Sequence, residues 1–124
     1  MVNHQISGVR AARTASPDLD LPALRENLLE QRLLRLEQLR QIAATDRADA
    51  PLRRRDDSRT EVRVQLAASA RMVLADVEAA LVRMDEGGYG ACGLCRRPIA
   101  SERLAIVPQA RYCTRCQQVR EAGR

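Results

Sequence analysis

The sequence predicts a mainly α fold: an antiparallel coiled-coil helical hairpin, then a small C-terminal domain stapled by four cysteines and closed by a short helix. Three observations carry this. Two stretches repeat apolar residues at three- and four-residue intervals, a charged segment containing Pro51 separates them, and the cysteines fall as two Cys-x-x-Cys pairs near the C-terminus. Composition agrees. The 124 residues include no Phe, no Trp and two Tyr, so the apolar payload of aromatic rings is missing. Leu, Val and Ala suit narrow helix-on-helix seams, and a small core of this kind calls for a metal or disulfide staple.

Residues 1–16 show no periodicity and read as a flexible N-terminal lead; they hold His4, the single histidine, as a solvated bystander. The hairpin is expected over 17–86. From Leu21 to Ala44, Leu21, Leu24, Leu28, Leu36, Leu39 and Ile42 form one stripe that Leu29, Leu33 and Leu34 widen, while Gln31, Arg32, Arg35, Gln38 and Arg40 fill the other face. Pro17 and Pro22 stand where a first helical turn tolerates proline. Residues 45–57 interrupt the pattern with four Asp, four Arg and Pro51, and read as the tip.

A second helix follows. Ser58 and Glu61 have the spacing of a capping box, and Val62, Leu66, Ser69, Val73, Val77, Ala80 and Met84 repeat close to a heptad with one stutter, supported by Ala70 and Leu81. Gly87 and Gly88 stop it. Two amphipathic helices joined by a short charged tip bury their stripes most simply against each other, because isolated helices of this length are marginal in water.

In the domain expected over 87–124, Cys92-x2-Cys95 and Cys113-x2-Cys116 are separated by seventeen residues, within the range of zinc sites. Each pair places two sulfurs on one tight knuckle, and two knuckles complete a tetrahedron. Gly88, Gly90 and Gly93 permit the backbone turns the first knuckle needs. Residues 99–107 are expected to supply a short strand or turn, and Gln117 to Glu121 a terminal helix. Four thiolates leave no open position for water, so the expectation is one structural Zn2+ and no catalytic site.

Charge is unevenly spread. Residues 17–86 carry twelve Arg against fourteen acids, whereas 87–124 carry seven Arg against two Glu. The basic C-terminal segment could meet phosphate or an acidic protein surface. No run approaches the ~20 apolar residues of a membrane span. Met1 to Ser16 lacks the apolar centre of a signal peptide, so a cytoplasmic protein is expected, where paired cysteines bind metal more often than they form disulfides.

The finger carries more than its cysteines. Gly87, Tyr89–Gly90, Cys92, Cys95, Ile99, Arg103–Leu104, Pro108, Cys113 and Cys116, at these spacings, closely resemble the DksA/TraR zinc-finger family, and the hairpin extends the resemblance over most of residues 21–124. The resemblance implies a non-enzymatic transcription regulator that binds RNA polymerase directly rather than reading promoter DNA. Its coiled coil would enter the secondary channel, its tip would approach the catalytic magnesium, and its zinc domain would rest outside. Tips of this family carry Asp-x-x-Asp-x-Ala; the nearest match is Asp46-x-x-Asp49-x-Pro51, with Pro in place of Ala. Alignment by distance from the first zinc ligand instead leaves Asp49 near the first Asp and Leu52 near the second. Asp49, then Asp46, are the candidate tip carboxylates, and Asp56 and Asp57 are helix-start charges. Arg96, Arg97, Arg103, Arg111, Arg115 and Arg120 are candidate docking residues. Val107 before Pro108 and Gln117 after Cys116 stand where family members that use guanosine tetraphosphate supply basic side chains, which counts against an alarmone response.

Two other classes compete. A zinc-ribbon nucleic-acid binder, or a protein-interaction module without a channel-inserting tip, would use the same arginines, although only Tyr89 and Tyr112 are available to stack on bases. A redox or hydrolytic enzyme would need turnover that disappears on chelation while the fold survives.

Overall fold

Asp20 starts the first helix: its carboxylate accepts the Ala23 amide at 3.1 Å, and Pro22 occupies the first turn, where no amide partner is lost. The computed structural model describes residues 19–51 and 57–123. The lead 1–16 with His4, and also Pro17, Leu52, Asp56 and Arg124, lie outside them. Helix α1 runs Leu21–Asp49 and helix α2 Asp57–Glu86, two rods of about 45 Å each. They pack as a hairpin, as expected. Two short helices follow, α3 (Ser101–Ile106) and α4 (Thr114–Ala122), and an antiparallel bridge joins Ala91 to Pro98.

Three boundaries differ from the sequence reading. Helix α1 continues through 45–49, so Asp46 and Asp49 stand on its last turns; it yields only at Ala50, next to Pro51. Helix α2 begins at Asp57, which puts Ser58 inside the first turn rather than ahead of it. Between the knuckles the chain forms helix α3, not a strand, because Glu102–Arg103–Leu104–Ala105 are good helix formers and a helical turn drives Leu104 fully into the core.

Toward the tip the seam also differs in register. On α2 the buried and half-buried side chains include Arg63, Ala67, Ala70, Leu74, Val77, Leu81 and Met84, spaced four, three, four, three, four and three. Ala80 is fully buried beside this series, and Val73, Val77, Ala80 and Met84 lie in or against the core as expected, so only the tip half of the expected stripe shifts. Val62 and Leu66 lie one position off the series and are exposed. On α1 the inward series Leu28, Arg32, Arg35, Leu39, Ile42, Asp46 and Asp49 has the same spacing. Leu33 and Leu34, expected to widen the stripe, are 65% and 67% exposed. A two-helix seam is narrow, and among the described residues there is no third long helix to cover that face.

At the base of the hairpin the seam merges with the finger. Leu28, Val77 and Ala80 form one core cluster with Tyr89, Cys92, Ile99, Leu104 and Ala110, and Leu24, Met84, Cys113 and Cys116 pack against it. Gly87 makes the transition. With φ at +85° it lets the Gly88 amide reach back to Arg83 and its own amide to Met84, closing α2 with a turn that a Cβ-bearing residue would strain.

Candidate metal centre

The first knuckle is built by backbone hydrogen bonds. The Cys92 amide donates to Arg97 O at 2.8 Å and the Arg96 amide to Cys92 O at 3.0 Å, so the loop folds back on itself. Arg96 completes the reversal in the left-handed region (φ +67°), at a cost of about 1 kcal/mol for a non-glycine residue. Gly93 sits against the second knuckle. Its amide donates to Arg111 O at 2.8 Å, and a Cβ there would come within 3.3 Å of the Tyr112 ring. The second knuckle opens α4: Cys113 is its cap residue, and its sulfur accepts the Cys116 amide at 3.5 Å. That helix therefore starts before Gln117, with Cys116 in its first turn.

These turns bring all four sulfurs within 4.8 Å of one another, with Cys95 and Cys113 Sγ 3.9 Å apart. Four sulfurs at ~2.3 Å from a tetrahedral zinc would stand about 3.8 Å apart, so the cluster fits the ion. The electrostatics agree. Burial raises the Cys92 thiol, but donors from the Cys95, Cys113 and Leu94 amides outweigh it and pull it down to about 6. Burial and the neighbouring thiols of Cys113, Cys92 and Cys95 push Cys116 up to about 12. One thiolate is welcome in this cluster and a set of them is not, unless a cation joins them. The centre takes one structural Zn2+, held by Cys92, Cys95, Cys113 and Cys116, with Cys92 buried and Cys95 at the surface.

Around the centre, the segment 107–112 ties the finger to the hairpin. The Tyr89 hydroxyl donates to Pro108 O at 2.8 Å, Arg83 Nη2 donates to Ala110 O at 3.2 Å, and Arg111 Nε pairs with Asp76 Oδ1 at 2.6 Å. Burial pushes the Tyr89 phenol up to about 12, against the opposing pull of the Arg83 charge. Tyr89→Phe should cost about 1–2 kcal/mol in urea unfolding by leaving the Pro108 carbonyl unsatisfied. The sign with pH follows. A phenol that ionises near 10 when unfolded and near 12 when folded contributes its full stability below pH 10 and loses it between about 10 and 12. The wild-type curve should drop more steeply than that of the variant across this window; parallel curves would refute the assignment.

The six candidate docking arginines separate. Arg96, Arg97 and Arg115 are exposed. Arg103 donates to Tyr112 O at 3.1 Å, Arg111 is held by Asp76, and the Arg120 guanidinium lies 4.7 Å from the centroid of the Tyr112 ring. At the far end of the hairpin, Asp46 and Asp49 both face Arg63 of α2. Sequence reasoning missed Arg63 and Asp76. Arg63 could have been found by extending the seam through Ala67 and Ala70 toward the tip; nothing in the local pattern marks Asp76.

Comparison with known proteins points one way. Residues 87–122 match the prokaryotic dksA/traR C4-type zinc finger. An uncharacterized protein of Aquifex aeolicus (strain VF5) is 36% identical over 52 residues, 40% of this chain and 36% of that protein, so the chain spans little more than a third of that relative. The structure of transcription factor DksA2 from Pseudomonas aeruginosa is similar to this one with a TM-score of 0.70, covering 90% of this chain and 89% of that chain at 23% identity, a likeness of fold.

Proposed function

We propose that the chain, whose residues 87–122 match the dksA/traR C4-type zinc finger, is a transcription regulator of that family that binds RNA polymerase directly. The hairpin over 17–86 is the probe, inserted into the secondary channel, and the domain over 87–124 is the base that rests outside. The observation that carries this is the placing of two carboxylates, Asp46 and Asp49, at the far end of a two-helix rod whose other end is locked to a zinc-stapled finger. A stiff rod delivers side chains deep into a narrow channel, where a flexible loop would lose much of the effect to ordering entropy. Arg96, Arg97 and Arg115, exposed on the finger, are the side chains available to meet an acidic rim.

The chain itself catalyses nothing in this proposal; the chemistry it modulates is the polymerase's. It acts in the cytoplasm, and among the described residues no helix is long and apolar enough to cross a membrane. The nucleic-acid alternative is weakened by its stacking inventory: Tyr89 is buried with its hydroxyl engaged, and Arg120 stacks on Tyr112.

Asp49→Asn tests the proposal. The variant should keep its melting temperature and co-purify with polymerase core, yet lose most of the wild-type effect on initiation in a reconstituted assay. A wild-type chain that fails to bind core polymerase would sink the proposal. A variant that regulates normally would remove Asp49 from it.

A further inference from the structure

The last turns of a helix are a poor place for two carboxylates. Their charges meet the negative end of the helix dipole, and at a separation of three residues they also repel each other. Asp46 and Asp49 nevertheless occupy those turns of α1, on the face toward α2. Arg63, in the second turn of α2, meets both. Its Nη1 lies 3.7 Å from Asp46 Oδ1, and its Nη2 hydrogen-bonds Asp49 Oδ2. The Arg63 side chain is 16% exposed, against 41% and 67% for those of the surface pair Arg25–Asp85. Asp46 and Arg63 also line the groove between the helices, together with Leu39, Ile42, Val64 and Ala67.

We propose that Arg63 is a positioning residue for the tip: one planar guanidinium, reaching across from α2, holds Asp46 and Asp49 as a fixed pair. Three features support this. The spacing that buries Ala67 and Ala70 brings Arg63 into the seam as its next member toward the tip, so its direction is set by packing rather than by the carboxylates alone. A guanidinium offers two forked donors, one for each acid, which an ammonium at the same place cannot match in geometry. The pair also bridges the two helices of the hairpin near its tip, with Asp49 fourteen residues before Arg63 in sequence. The arrangement therefore ties α1 to α2 at the last described turns before Pro51.

The part of this inference that concerns transcription rests on the proposed polymerase function; the clamp itself does not, and the test separates them. In the full chain without polymerase, Arg63→Gln should speed amide exchange at residues 46–49 about fivefold while the finger amides stay unchanged, with Arg63→Lys in between. Equal exchange in wild type and Arg63→Gln would overturn the clamp. With polymerase, Arg63→Gln should bind with wild-type affinity but lower the maximal effect on initiation, and Arg63→Lys should restore part of it. The double variant Asp49→Asn/Arg63→Gln should be no weaker than Asp49→Asn alone, because both act through one pair. Additive losses, or a loss of affinity in place of effect, would overturn the positioning role. A wild-type chain silent on polymerase would sink the proposed function, and the exchange measurement would still decide the clamp.

Discussion

Removing the metal will unfold the finger and loosen the base of the hairpin with it. Structural zinc contributes roughly 10–16 kcal/mol of apparent binding free energy in small fingers at neutral pH, as much as or more than the 5–15 kcal/mol that holds a typical domain. This chain has little to put in its place. The finger's fully buried side chains are Ile99, Leu104, Pro108 and Cys92, and one of these is itself a ligand. Since Cys92 belongs to the same cluster as Leu28, Val77 and Ala80, the loss will extend into α1 and α2 near the finger. Chelation followed by circular dichroism and amide exchange should show loss of protection over 89–119 and at residues 24–28 and 77–84, while the tip half responds less. Cys92→Ser should match chelation. Protons compete with the metal for thiolate, so the metal-bound form should become harder to maintain as pH falls. A metal-free chain that keeps its finger protected would show that the staple is dispensable.

Leu28→Ala should be the most damaging single change in the hairpin, costing about 2–5 kcal/mol in urea unfolding. Leu28 is fully buried and is the one buried residue of α1. It packs in the cluster shared by α2 and the finger, so its loss leaves a cavity where three segments meet. Leu33→Ala is the matched control. At 65% exposure the same chemical change should stay within about 0.5 kcal/mol. The unfolding of Leu28→Ala should remain a single transition displaced to lower urea. Equal effects at Leu28 and Leu33 would mean that hairpin and finger do not share a core.

The contrast between these two leucines shows how far the sequence could be read. Both stand in the same amphipathic stretch and both satisfy its three-and-four spacing loosely. The stretch announces a helix without announcing which part of its apolar arc will meet a partner. A one-residue error on α2 had the same origin. Val62, Leu66 and Ser69 make as good a local stripe as Arg63, Ala67 and Ala70, and hydrophobicity favours the first. The structure takes the second, in which small alanines leave room for the facing helix and Arg63 meets two carboxylates. Residues 99–107 failed differently: a short apolar run is ambiguous between strand and helix until its neighbours settle it.

The four cysteines needed no such settlement. A Cys-x-x-Cys pair places its sulfurs through the geometry of four consecutive residues, so ligand identity, metal preference and the closed character of the site were legible from spacing alone. The glycine stop at Gly87 was legible for the same reason, as were the existence of two long helices and a break near Pro51: each is written within a few residues. What only the tertiary structure decided is everything joining distant parts of the chain. Arg111 holds Asp76 across 35 residues, the Tyr89 hydroxyl meets Pro108, Leu28 shares a core with Cys92, and Arg63 gathers the tip carboxylates. Local spacing is dictated by covalent geometry, which every segment carries with it. Which surfaces face each other is dictated by the free energy of the whole packed assembly, and no segment carries that by itself.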